Sequence, residues 1–243
     1  MKILDGKKIS QDIKDELKML VSNRLKKGLK KPHLAAIIVG NDGASLTYVG
    51  SKVKACDYVG YDSTLIKLEE SITEEFLLEK INDLNNNSHI DGFIVQLPLP
   101  RGIDEQKILL AIDPYKDVDG FHPTNFGRMS LEMESFIPAT PYGIIELLDR
   151  YEIETSGKDC VVIGRSNIVG RPISILLSQK SKKGNATVTL AHSKTKNLKS
   201  ITKNADIIIS ALGIPGFLKS DMVKKGVVII DVGITRVPTQ SSP

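Results

Sequence analysis

Short unbroken runs of apolar residues alternate along this chain with stretches in which apolar positions recur every three or four residues. Residues 34–39, Leu-Ala-Ala-Ile-Ile-Val, form such a run, closed by Gly40-Asn-Asp-Gly, and read as a buried strand. Ile13, Leu17 and Leu20 ahead of it share one face of a helix that can begin after Ser10. A helix running to about Val59 follows, then a strand over 64–68, a helix over 73–84 and a strand at Gly92-Phe-Ile-Val that leads into Gln96-Leu-Pro-Leu-Pro. Leu84-Asn-Asn-Asn-Ser is expected to turn. The pattern changes at Ile137-Pro-Ala-Thr-Pro-Tyr-Gly, before a helix expected over 143–151. Strands are then expected at 159–163, 187–191, 207–210 and 227–231, with a glycine-containing turn and a helix through Leu177 after the first.

This rhythm predicts an α/β fold with parallel sheets covered by helices, and a boundary that divides the chain into residues 1–140 and 141–243. Ligands gather at the carboxyl ends of such strands, where 40–45, 96–100 and 117–120 fall. The 41% apolar and 26% charged residues are those of an ordinary globular protein. No apolar run reaches membrane-spanning length and the start lacks a signal-peptide core, so a cytoplasmic protein with no membrane partner is expected. Cys56 and Cys160 read as buried thiols of a reducing compartment, and with four scattered histidines no metal site is expected. The formal charge of +4 suits a small anionic ligand better than nucleic acid. Its densest basic stretch, 24–31, has no interleaved aromatics and reads as a solvated helix end.

Tyr48 and Lys52 stand four residues apart, on one face of the expected helix. An amine partly withdrawn from water can exchange a proton near neutral pH, and a neighbouring phenol can orient it or a flat substrate. On spacing alone, packing with a solvated charge is the commoner meaning of such a pair.

In the second half, the strand at 159–163 feeds Gly164-Arg-Ser-Asn-Ile-Val-Gly-Arg-Pro and then a helix, placing backbone amides and a positive dipole end where a pyrophosphate can sit. Gly164 and Gly170 do not spell Gly-x-Gly-x-x-Gly. The next strand ends in His192-Ser-Lys-Thr rather than an acidic residue, and Arg165 lies at the first turn, a combination that suits a 2′-phosphate and hence NADP. A short-chain dehydrogenase also pairs Tyr-x-x-x-Lys with a nicotinamide domain. There the pair follows the glycine turn, whereas Tyr48 and Lys52 precede Gly164 by more than a hundred residues, on a separate N-terminal domain.

Gly40-Asn-Asp-Gly-Ala-Ser-Leu-Thr-Tyr-Val-Gly-Ser-Lys, Asp91-Gly-Phe-Ile-Val-Gln-Leu-Pro-Leu-Pro, Lys116-Asp-Val-Asp-Gly-Phe, Pro138-Ala-Thr-Pro-Tyr-Gly and the Gly164–Pro172 motif, with His192-Ser-Lys-Thr and Asp231-Val-Gly-Ile, occur in one order over essentially the whole chain. Together they resemble the bifunctional methylenetetrahydrofolate dehydrogenase/methenyltetrahydrofolate cyclohydrolase family. The resemblance implies an N-terminal αβ catalytic domain, a C-terminal Rossmann-type domain and a cleft between them. It implies NADP-dependent oxidation of 5,10-methylenetetrahydrofolate and hydrolysis to 10-formyltetrahydrofolate, in the one-carbon metabolism that supplies purine biosynthesis.

By the same resemblance Lys52 is the catalytic amine, Tyr48 aligns the folate, Gln96 hydrogen-bonds and tunes the lysine, and Asp119 anchors the pterin ring, with Leu97 and Pro98 beside it. Asp117 is an alternative anchor, or else a turn-stabilising carboxylate. Gly164, Arg165, Ser166, Ser193, Gly213 and Ile234 are the implied cofactor contacts, and a homodimer the implied assembly. Two departures stand out. Ala139 occupies a position where the family commonly has cysteine, and the sequence stops at Pro243, ahead of a family loop and final helix. The second leaves a module that binds NADP or folate without turnover as the alternative expectation.

Overall fold

The computed structural model describes residues 2–233. Its elements run α1 (Gly6–Lys26), β1 (His33–Val39), α2 (Gly43–Val59), β2 (Asp62–Leu68), α3 (Glu74–Asn86), β3 (Gly92–Val95), α4 (Glu105–Ala111), α5 (Pro123–Ser130), α6 (Ala139–Arg150), β4 (Asp159–Ile163), α7 (Gly170–Ser178), β5 (Thr187–Ala191), α8 (Leu198–Asn204), β6 (Ile207–Ser210) and β7 (Val228–Asp231). They form two compact units. One takes in residues up to Met129 together with Glu134–Ile137, the other Ser130–Met133 and the chain from Pro138 onward.

The first unit is built on a parallel sheet of order β2-β1-β3. Alternate residues of a strand face opposite ways, so the run at 34–39 serves two cores. Ala35, Ile37 and Val39 join Phe93 and Val95 against Leu77, Ile81 and Leu84 of α3 and Ile108 of α4. Ala36, Ile38 and Ile94 pack on the other face against Leu46, Val49 and Val53 of α2. Full burial of each such aliphatic side chain contributes about 1.5–3 kcal/mol, and Ile37, Leu77 and Ile81 are wholly buried. Lysines of the basic stretch at 24–31 are tied down by pairing: Lys30 with Asp91 and Lys31 with Asp62.

The second unit has a parallel sheet of order β5-β4-β6-β7. Val161, Ile163 and Ile208 pack with Leu198 and Ile201 of α8 on one face, while α7 packs on β4 and β5 and against α6.

Several boundaries differ from the expected ones for local reasons. α1 starts at Gly6 because the Asp5 side chain accepts a hydrogen bond from the Lys8 amide. Its inward face runs through Val21, leaving Leu20 exposed. α3 continues through two of the asparagines expected to turn, and Asn86 Nδ2 donates to the Asn82 carbonyl. α6 begins at Ala139 rather than 143, because Pro141 falls in its first turn, where no amide is needed. α4, α5 and α8 were not expected from the apolar pattern, being seven or eight residues long. α4 does carry a readable start, since the Asp104 carboxylate accepts from the amides of Gln106 and Lys107.

Candidate active site

In the first sheet the chain leaves β1 for β2 on one side and then crosses to β3 on the other. The connections after β1 and β3 therefore part, opening a crevice at the carboxyl ends of these strands. α2 follows the β1 turn, where Asp42 caps the helix by accepting from the Ser45 amide and hydroxyl, both at 2.8 Å. Its buried positions are Ser45, Val49, Cys56 and Val59. Spacings of three and four carry that stripe from Val49 to Cys56 through both 52 and 53; Val53 packs on the sheet, and Lys52 stands beside it, half-buried. Lys52 is thus a charged residue at the edge of a core-facing row, its side chain 23% exposed.

Two groups meet its ammonium. Asp119 Oδ1 lies 3.5 Å from Nζ, and the Tyr48 ring centroid lies 4.6 Å away. Burial raises the Asp119 carboxyl above the ordinary carboxylate range; the Lys52 charge pulls it down and Asp117 pushes it up. Burial, and then the Asp119 charge, raise the Tyr48 phenol. Tyr48 therefore keeps its O–H at neutral pH and can donate a hydrogen bond.

Asp119 owes its position to its neighbours. Residues 116–118 run beside β3, with the Phe93 amide donating to the Lys116 carbonyl at 2.9 Å. The approach is close enough that a Cβ on Gly92 would stand 2.2 Å from Val118 Cγ1. The chain then turns, with the Gly120 amide donating to the Asp117 carbonyl and Gly120 itself at φ +68°. Asp117 is 2% exposed, and its Oδ2 accepts from the His122 amide and from Asn125 Nδ2. Asp117 thus stabilises the turn, and Asp119 is the carboxylate that reaches Lys52.

Gln96 follows β3, its amide donating to the Ile37 carbonyl. Its side-chain Nε2 donates to the Leu97 carbonyl at 2.7 Å, and no hydrogen bond joins it to Lys52 among the described residues. Leu97 and Pro98, joined by a cis peptide, continue the same segment.

The second unit repeats this topology: β4 leads outward to β5, and the chain returns to β6 on the other side. Gly164 follows β4 at φ +115°, where a Cβ would stand 2.6 Å from the Ala211 carbonyl oxygen. A Cβ on Gly170 would stand 2.1 Å from the Gly164 carbonyl oxygen. These glycines bring the ends of β4, α7 and β6 into backbone contact, the task glycines perform in a dinucleotide loop without its usual spelling.

The α7 amides differ from expectation. Val169 and Gly170 donate to Ser166 Oγ and Arg171 to the Ser166 carbonyl, while Pro172 has no amide to offer. The groups open to an anion are the amides of 165–168, which make no hydrogen bond among the described residues, the Ser166 hydroxyl hydrogen and the Arg165 side chain. Arg165 and Ser193 each stand two residues beyond the paired Ile163 and Ala191, on adjacent strands. Ser193 is exposed in a turn closed by the Thr195 amide donating to the His192 carbonyl. Gly213 lies on the segment after β6, and Ile234 falls outside the described residues. No cluster of three or more His, Cys, Asp or Glu that could hold a metal occurs among the described residues.

The family model for the tetrahydrofolate dehydrogenase/cyclohydrolase catalytic domain matches residues 4–119, and that for its NAD(P)-binding domain matches 138–242. The chain belongs to the tetrahydrofolate dehydrogenase/cyclohydrolase family. Bifunctional protein FolD of Flavobacterium johnsoniae is 68% identical over 242 residues, covering all of this chain and 82% of that protein. The solved FolD enzyme of Campylobacter jejuni is 48% identical with a TM-score of 0.93, over 98% of this chain and 83% of that one. The Trypanosoma brucei FolD structure, complexed with NADP cofactor and inhibitor, is 34% identical with a TM-score of 0.92, over 100% and 82% of the two chains.

Within the family's catalytic domain the structure thus joins Tyr48, Lys52 and Asp119, while Gln96 bonds elsewhere. Asn125, 3% exposed and bonded to Asp117, was missed because a lone asparagine carries no pattern. No helix among the described residues is long and apolar enough to cross a membrane.

Proposed function

We propose that this bifunctional methylenetetrahydrofolate dehydrogenase and methenyltetrahydrofolate cyclohydrolase uses Lys52 for proton transfer during hydrolysis and takes NADP as its hydride acceptor. The single observation that supports the lysine's role is its half-buried place beside the core-facing row of α2, against Asp119 and the Tyr48 ring. In its neutral form the amine can accept a proton from the water that attacks the methenyl carbon and deliver it to the nitrogen that leaves as the ring opens, while the remaining hydroxyl proton passes to solvent as the formyl C=O forms. Asp119 accepts hydrogen bonds from the pterin and holds the lysine, and Tyr48 lies against the folate and donates through its hydroxyl. Gln96 borders the same crevice with Leu97 and Pro98, and reaches the lysine through its amide oxygen once substrate is bound.

NADP, when bound, accepts the hydride. The glycine contacts at Gly164 and Gly170 leave a cradle fit for a dinucleotide, with Arg165 and Ser193 for the 2′-phosphate, Ser166 for the pyrophosphate, and Gly213 on the segment after β6. The protein works in the cytoplasm as a homodimer, without nucleic acid or membrane partners.

Addition of 5,10-methylenetetrahydrofolate and NADP to the purified chain tests the reading. NADPH absorbance should rise and 10-formyltetrahydrofolate should form, faster with NADP than with NAD. A flat trace from folded, NADP-binding protein would mean that it binds without turnover.

A further inference from the structure

We infer that Asn125 is a positioning residue for hydrolysis, acting through Asp117 to aim Asp119 at Lys52. The inference rests on the proposed partnership of Asp119 and Lys52. Asn125 sits on α5 and its Nδ2 makes two hydrogen bonds, to the Pro114 carbonyl at 2.9 Å and to Asp117 Oδ2 at 3.0 Å. Both hydrogens of that amide are thereby used, one at each end of residues 114–117, which lead to Asp119. The same Asp117 oxygen takes the His122 amide at 2.8 Å, on the far side of the turn. One buried carboxylate thus fastens the turn at both ends, and Asp119 is its third residue.

Such a clamp holds only while the carboxylate keeps its donors. A buried carboxylate that loses one either draws in water or swings outward, and here a swing moves the backbone that carries Asp119. The 3.5 Å contact between Asp119 and Lys52 has little slack, since a further ångström would break it. Asn125 also lines a cavity of 410 Å³ with Tyr115, Arg128 and Phe136. A leucine at 125 therefore has room, and that variant removes the two donors without overpacking the site.

A double-mutant cycle on the full chain tests this, reading kcat and KM for methenyltetrahydrofolate hydrolysis, with a thermal melt of each variant. Asn125→Leu should lower kcat/KM about tenfold in the native background. In the Asp119→Asn background the same change should cost less than about twofold, while its effect on Tm stays the same. An equal loss in both backgrounds overturns the inference and leaves the role of Asp119 standing, as would wild-type rates for Asn125→Leu alone. Wild-type rates for Asp119→Asn overturn both. If the leucine variant does not fold, Asn125→Ser, which keeps one hydroxyl donor, is taken through the same cycle with the same criteria.

Discussion

Gly170→Ala is expected to lower stability by about 2–4 kcal/mol and to cut hydride transfer about a hundredfold or more, since overpacking against rigid neighbours has no cheap relaxation. The added methyl would stand 2.1 Å from the Gly164 carbonyl oxygen and 2.6 Å from the carbon of that carbonyl. Neither atom belongs to a side chain that can rotate away. Gly164 cannot retreat either, because it is itself packed on the Ala211 carbonyl. Relief must come by parting α7 from the end of β4, which distorts the loop bearing Arg165 and Ser166. A thermal melt and initial rates over a range of NADP concentrations check this. Wild-type Tm and an unchanged KM for NADP would show that the close approach does not shape the nucleotide site.

Asp119→Asn should reduce kcat/KM for both reactions by about a hundredfold, the worth of a charge-assisted hydrogen bond lost at a partly buried site. The change is isosteric, so packing stays as it was. What changes is charge: the amide offers one acceptor where the carboxylate offered two, and its NH2 group confronts the Lys52 ammonium with another donor. Lys52 then keeps its half-buried place, with the Tyr48 face still beside it. Loss in both activities is the expected signature because pterin binding precedes both steps. Initial-rate kinetics of each step, with folate concentration varied, measure it. A loss confined to one step would show that Asp119 serves that chemistry and does not anchor the ring.

The strands were legible because β1, β4, β6 and β7 are unbroken runs rich in Val and Ile, and a parallel strand covered on both faces needs such a run. α4, α5 and α8 were not, since seven or eight residues give too few turns for a period to emerge. α1 and α6 began earlier than expected because an aspartate cap and a first-turn proline set their starts, signals weaker than the apolar pattern.

Within the site, the Tyr48–Lys52 spacing was visible, but its best argument was not. That argument is the row Ser45, Val49, Cys56 and Val59, which requires knowing which face of α2 is buried. Gly164 and Gly170 likewise signal through what a Cβ would strike, and that depends on β6 lying beside β4. Ser166 illustrates the reverse case. Its type suits phosphate binding, yet its oxygen already closes the end of α7.

The most direct test of Lys52 as the proton-transfer group is Lys52→Met, assayed for both steps on one preparation. Methionine keeps the length of the buried stem and removes the amine. Hydrolysis of methenyltetrahydrofolate should fall about 10²–10⁴-fold, the usual span for a general acid–base group, while hydride transfer to NADP stays within about tenfold of wild type. Hydrolysis at the wild-type rate, or an equal collapse of both steps, would contradict that role.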